Sequence, residues 1–198
     1  MNSKAIALTI ALAGVSLVLN PRLSGLAIPS FFPGLWFYFW EIPILIALFL
    51  LGLKYAFSIA LGNGFVLILF WGPGFNNPLL NLLSALSTIL GVYFARKLLI
   101  KNYFKERGIS RSKEVIVCTA FTMLLRLAIM TPAVIFYAGF FILYELIIML
   151  LPFLIIYDII IVAYTVPLAY LIEKRVEKNW YKFNRQGDIE GSIASKIS

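Results

Sequence analysis

Histidine is absent from this chain of 198 residues, and cysteine occurs once, at Cys118. A disulfide within the chain, a thiol relay, and a His-based metal or catalytic site are therefore excluded. Charge is scarce too: Asp, Glu, Lys and Arg make up 13% of the residues, where a soluble domain carries about 25%. The string G-x-x-x-x-G-K-[ST] does not occur, so the chain cannot bind ATP by a P-loop. G-x-S-x-G and H-E-x-x-H are also missing, and no carboxylates cluster as a metal would require. The few charges inside apolar runs are too scattered for an active site. The expectation is a protein that is not an enzyme and has no cofactor.

What is present is apolar. Hydrophobic residues make up 62% of the chain, with mean hydropathy +0.94. This is the composition of an integral membrane protein, expected as one all-α bundle. A helical span needs about 20 mostly apolar residues. Six spans are predicted, near residues 5–19, 40–53, 55–71, 78–96, 114–137 and 152–172. The first resembles a short signal peptide but is read as a retained span, because no small-residue cleavage site precedes a soluble domain. A long outer loop, 22–39, joins the first two spans and is rich in Pro and aromatic residues. Pro29 and Pro33 argue against helix in its first half. Gly72-Pro73-Gly74 marks a turn. A short apolar piece, 140–151, precedes Pro152, which suits the first turn of the sixth helix. The membrane domain is expected over 1–178, followed by a polar tail, 179–198, expected to be disordered.

The net charge of +8 is concentrated in connectors. The connector 96–113 holds Arg96, Lys97, Lys101, Lys105, Arg107, Arg111 and Lys113 against Glu106. Such connectors stay in the cytoplasm. Six spans then place both termini on that side, together with Lys4, Lys54, Lys174, Arg175, Lys178, Lys182, Arg185 and Lys196, and leave only Arg22 outside. The bilayer and its anionic lipid account for the charge, so nucleic acid is not an expected partner. Trp36, Trp40 and Trp71 fall where the outer interface is expected, as anchors.

Ionisable and strongly polar groups are costly inside a bilayer, and each needs a reason. Glu41 opens the second span, where an acid either favours the helix dipole or meets a ligand. Arg126 lies in the middle of the fifth span and should be paired, with Asp158 or Glu41 as its partner. Such a pair can be structural, can clamp a ligand, or can do both. Asn63 either bonds across helices or faces a cavity. Asn81 is a further candidate. On the first span, Ala7 and Ala11, with Gly14 one turn on, allow close approach of another helix, inside the bundle or outside it.

Several strings in order resemble the S component, the substrate-binding membrane subunit, of energy-coupling factor (ECF) vitamin transporters, nearest the riboflavin type. Trp40-Glu41-Ile42-Pro43-Ile44-Leu45-Ile46-Ala47 is similar to the family's opening of the second helix. Asn63 and Asn81 match asparagines of the third and fourth, Arg126 to Met130 is similar to the Arg-x-x-Val-Met run of the fifth, and Pro152-Phe153 resembles the start of the sixth. Ala7 and Ala11 fit the Ala-x-x-x-Ala that docks on the transmembrane T component. The resemblance covers nearly all of the chain up to Lys178. It departs at Gly62, where the family has lysine, at Val134-Ile135, where it has Asn-Tyr, and at Leu154, Tyr157 and Ile161. Unpaired polar edges in a dry pocket are expensive, so these departures argue against riboflavin itself and for an aromatic or weakly polar ligand.

The resemblance implies capture of a vitamin-like small molecule near the outer leaflet and its delivery to a T component and two ATPases. Trp36, Tyr38 and Trp40, with Phe31 and Phe32, could stack on the ligand, while Glu41, Asn63, Asn81, Arg126 and Asp158 orient it. Two alternatives stay open: a structural or assembly protein without ligand, and a membrane enzyme acting on lipid.

Overall fold

The structure, a computed structural model, describes residues 3–25, 28–30, 36–71, 78–100, 110–140 and 144–197. The side chains of 22, 36, 71, 100, 144 and 177–197 lie outside that description. So do Phe31, Phe32, residues 101–109 of the basic connector, and the side chains of the tail.

The chain is an all-α protein with one minimal hairpin. Helix α1 spans Ser3–Val18, and a single turn, α2, follows at Pro21–Ser24. Two-residue strands β1 (Ile28–Pro29) and β2 (Trp36–Phe37) pair antiparallel, with Ile28 opposite Phe37. Then come α3 (Glu41–Leu50), α4 (Leu53–Trp71), α5 (Pro78–Phe94), a π-helical segment (Ala95–Ile100), α6 (Arg111–Ala138) and α7 (Tyr144–Ile197).

Four of these helices, α4 to α7, are long and apolar enough to cross a membrane. At about 1.5 Å per residue, α1 and α3 reach only about 24 and 15 Å, short of a hydrocarbon core of about 30 Å. The chain is a multi-pass membrane protein. Large apolar side chains such as Phe65, Phe70, Leu124 and Phe136 are exposed around the bundle. A soluble protein would not leave so many uncovered.

Three local expectations need correction. The loop after α1 opens with a helical turn: Pro21 is preset for a first helical position, and Ser24 Oγ donates to Asn20 O at 3.1 Å. The piece from Tyr144 to Leu151 is not separate from the sixth helix but forms its start, and Pro152 lies inside α7. The apolar run continues on both sides of Pro152, and neighbouring helices let a membrane helix tolerate proline. Trp40 is not an interface anchor, since it is 2% exposed and packs in the core. The helical backbone of α7 continues to Ile197.

The core is organised around α3. Residues Glu41 to Leu48 are buried without a break, and a helix apolar all round belongs inside a bundle. It packs on α1, α4, α5 and α7. Gly52, with φ +98°, lets the chain turn from α3 into α4. Helices α5 and α6 meet at Gly91, where an added Cβ would lie 2.8 Å from Thr122 Cα.

Candidate functional site

The buried charges converge. Glu41 and Arg126 are each 1% exposed, and their side chains meet at 2.9 Å between Nη1 and Oε2. Arg126 Nη1 also donates to Glu41 Oε1 at 3.1 Å and to Thr88 Oγ1 at 2.7 Å. Its Nε donates to Asp158 Oδ1 at 2.9 Å, and its Nη2 to Tyr38 Oη at 2.9 Å. Glu41 accepts two more bonds, from Ser84 Oγ at 3.0 Å and Thr88 Oγ1 at 3.1 Å. Three helices, α3, α5 and α7, thus present polar groups to one guanidinium on α6, whose planar fork of donors suits this use.

The local reasons are plain. Glu41 begins α3, where an acid complements the positive end of the helix dipole. Ser84 and Thr88 lie one turn apart on α5 and share a face. Arg126 stands about 22 Å along α6 from Arg111, near mid-helix. Both sequence-predicted partners of Arg126 are realised, Asp158 and Glu41 together.

Aromatic side chains line the junction between β2 and α3. Phe37 stacks on Tyr157 with centroids 6.2 Å apart, and Tyr38 meets Tyr157 edge-on at 6.4 Å. Tyr164 Oη donates to Tyr38 O at 2.6 Å and ties this junction to α7. Tyr38 and Trp40 lie 6.0 Å apart. Trp36 has its backbone in β2.

Together these features form a buried polar centre under aromatic rings, in an all-helical membrane bundle. No protein-family model and no curated protein sequence matches the chain. Among solved structures it is similar to the S component of a bacterial ECF transporter, with TM-score 0.67 and 20% identity, over 91% of this chain and 99% of that one. The chain has the fold of an ECF-transporter S component.

Within the S-component fold, the remaining expected residues lie apart from the polar centre. Asn63 Nδ2 donates to Ser16 Oγ at 2.8 Å and to Ile59 O at 3.3 Å. It therefore bonds α4 to α1, the cross-helix role. Asn81, half-buried on α5, makes none of the bonds of the polar centre. Ala7, Ala11 and Gly14 are exposed on α1, and no atom lies within 4 Å of a Cβ built at Gly14. Their small-residue face points out of the bundle, while Ala5 and Ser16 are buried.

A second network closes the opposite end of the S-component fold. Arg96 Nε pairs with Glu114 Oε1 at 3.3 Å, and Tyr170 Oη donates to the same oxygen at 3.1 Å. The Arg96 guanidinium lies over the rings of Phe49 and Tyr170, at 5.1 and 5.7 Å from their centroids. Cys118 Sγ is 3.2 Å from Tyr170 Oη. This end adjoins the basic connector, so the Glu41–Arg126 centre lies away from it.

Sequence reasoning missed Ser84, Thr88 and the hydroxyl of Tyr38. Ser and Thr are ordinary in membrane helices and often bond their own backbone, as Thr88 does to Ser84 O at 3.0 Å. Their polar face on α5, one turn apart, was the only available signal.

Proposed function

We propose that the chain is the substrate-capturing subunit of an ECF-type importer. It would cross the membrane six times over residues 1–178, with both termini and the tail in the cytoplasm. It would bind a vitamin-like small molecule, aromatic or weakly polar, near the outer leaflet. A T component and two ATPases would supply the energy, and membrane lipid would surround the bundle. The observation that carries this reading is the S-component fold with a charged centre buried inside it. Intramembrane ionisable groups that face the bundle interior mark ligand or ion paths. Trp36, Tyr38, Trp40, Glu41, Asn63, Asn81, Arg126 and Asp158 are the binding residues in this proposal, with Asn63 also bonding α4 to α1. The outward small-residue face at Ala7 and Ala11 is the surface offered to the T component.

One observation favours a second reading, a structural protein without ligand: both oxygens of Glu41 are already taken by internal donors. Native mass spectrometry of the purified protein separates the two. The importer reading expects a co-purified small molecule, or a thermal shift with a member of a vitamin panel. The absence of both would leave the second reading standing. Ala7→Trp or Ala11→Trp should abolish uptake yet leave ligand binding intact, and full uptake in both variants would remove the docking assignment.

A further inference from the structure

The charges of the buried centre do not balance. One guanidinium, Arg126, faces two carboxylates, Glu41 and Asp158, and no second Lys or Arg among the described residues pairs with either acid. The two acids are held differently. Glu41 is saturated: each of its oxygens accepts from Arg126 and from one hydroxyl. Asp158 accepts a single bond, at Oδ1 from Arg126 Nε, and no described group donates to its Oδ2. Its side chain also keeps 13% exposure, against 1% for Glu41. Arg126 is therefore matched by Glu41, and Asp158 carries the surplus charge.

The surroundings of that surplus are aromatic. Tyr157 precedes Asp158 on α7, and Phe37 and Tyr38 lie against the Tyr157 ring. Ring faces attract cations, and a carboxylate beside them adds a charged acceptor. A bare metal ion does not fit, because calcium or magnesium needs about six oxygen ligands. Asp158 offers one oxygen with no described donor, close to these rings along the chain.

We propose that the ligand is an organic monocation, whose positive group is received by Asp158 and the rings of Phe37, Tyr38 and Tyr157. This rests on the importer reading and narrows it from an aromatic or weakly polar molecule to one bearing a single positive charge. An uncompensated acid is costly at this depth, and a cationic guest removes that cost when it binds.

The test uses the full-length purified protein in detergent and three probes of similar shape: benzyltrimethylammonium, neutral N,N-dimethylbenzamide and anionic phenylacetate. Saturable binding is measured by equilibrium dialysis and thermal shift. The cation should bind at least about tenfold tighter than either of the others, a difference of about 1.4 kcal/mol. Asp158→Asn should lose that preference, and Asp158→Glu should keep it. Equal or tighter binding of the amide or phenylacetate overturns the proposal. So does undiminished cation binding by Asp158→Asn. If Asp158→Asn does not fold, Asp158 is a structural partner of Arg126 and the proposal falls. A co-purified neutral or acidic ligand would overturn the monocation but keep the importer, whereas no bound molecule and no binding of any probe would remove both.

Discussion

Removing Arg126 should be the most damaging single change in the bundle. Arg126→Met keeps most of the side-chain volume and removes the one cation that touches Glu41 and Asp158 among the described residues. Glu41 is then a buried acid with two hydroxyl donors and no counter-charge, and Tyr38 loses its bond to Nη2. Breaking a buried pair by deleting one partner costs about 3–5 kcal/mol. For a chain of this length that is roughly 6–20 °C in Tm. The pair Arg111–Glu173 sets the contrast, because Arg111 is 43% exposed although Glu173 is 8% exposed. Water reaches that guanidinium, so Arg111→Met should cost less than Arg126→Met.

Intrinsic fluorescence melting of the purified protein in detergent reads both variants on one scale. A companion variant, Glu41→Gln with Arg126→Met and Asp158→Asn, removes all three charges together. It should recover most of the loss, because replacing a whole buried ion cluster by neutral groups is often nearly neutral. An Arg126→Met protein melting within about 2 °C of the parent would refute the reasoning, since the expected loss is several kcal/mol. A triple variant as unstable as the single one would also refute it, because the loss would then come from packing rather than from uncompensated charge.

Two further variants probe the helix contacts. Gly91→Ala places a Cβ 2.8 Å from Thr122 Cα, a backbone atom that cannot swing aside, so α5 and α6 must separate at about 1–3 kcal/mol. A melt of Gly91→Ala matching the parent would show that this approach is not tight. Ser16→Ala removes the donor to Trp40 O at 2.7 Å and the acceptor of Asn63 Nδ2 at 2.8 Å. Interhelical bonds in membranes average about 0.6 kcal/mol each, so the same melt should show a loss of about 1–2 kcal/mol, and none would mean that these bonds are idle.

How much of this was legible in the sequence follows from how rare each residue type is in its setting. Glu41, Arg126 and Asp158 stand out because charge inside an apolar run is costly, and the structure brings all three together. Asn63 was equally visible, but its polarity fits a helix contact as well as a site, and the contact with Ser16 is what forms. Tyr38 and Trp40 were read for their rings. Tyr38 also contributes its hydroxyl to Arg126, and Trp40 contributes a backbone carbonyl, which no side-chain pattern reveals. Pro152 predicts too late a start for the sixth helix, because proline at a first turn is a local rule and the apolar residues ahead of it extend the helix back to Tyr144. Length is less legible: the apolar run through α3 reads as a full-length helix, and Gly52 ends it after ten helical residues.

The same short helix explains how a surface on one side of the bundle can bear on a site inside it. Helix α1 presents Ala7, Ala11 and Gly14 outward and Ser16 inward. Ser16 Oγ holds the carbonyl of Trp40, the residue immediately before Glu41. From Glu41 the chain of bonds runs through Arg126 to Asp158 and Tyr38. Coupling between distant sites travels through such contiguous bonds when the elements that carry them move as rigid bodies. Under the proposed docking of α1 on a T component, a shift of α1 would pull on the start of α3, where the polar centre begins. Helix α3 has no exposed face on which to absorb that shift by sliding along lipid. Its eight consecutive buried residues pack against α1, α4, α5 and α7, so the displacement must reach the centre or be resisted by the whole core.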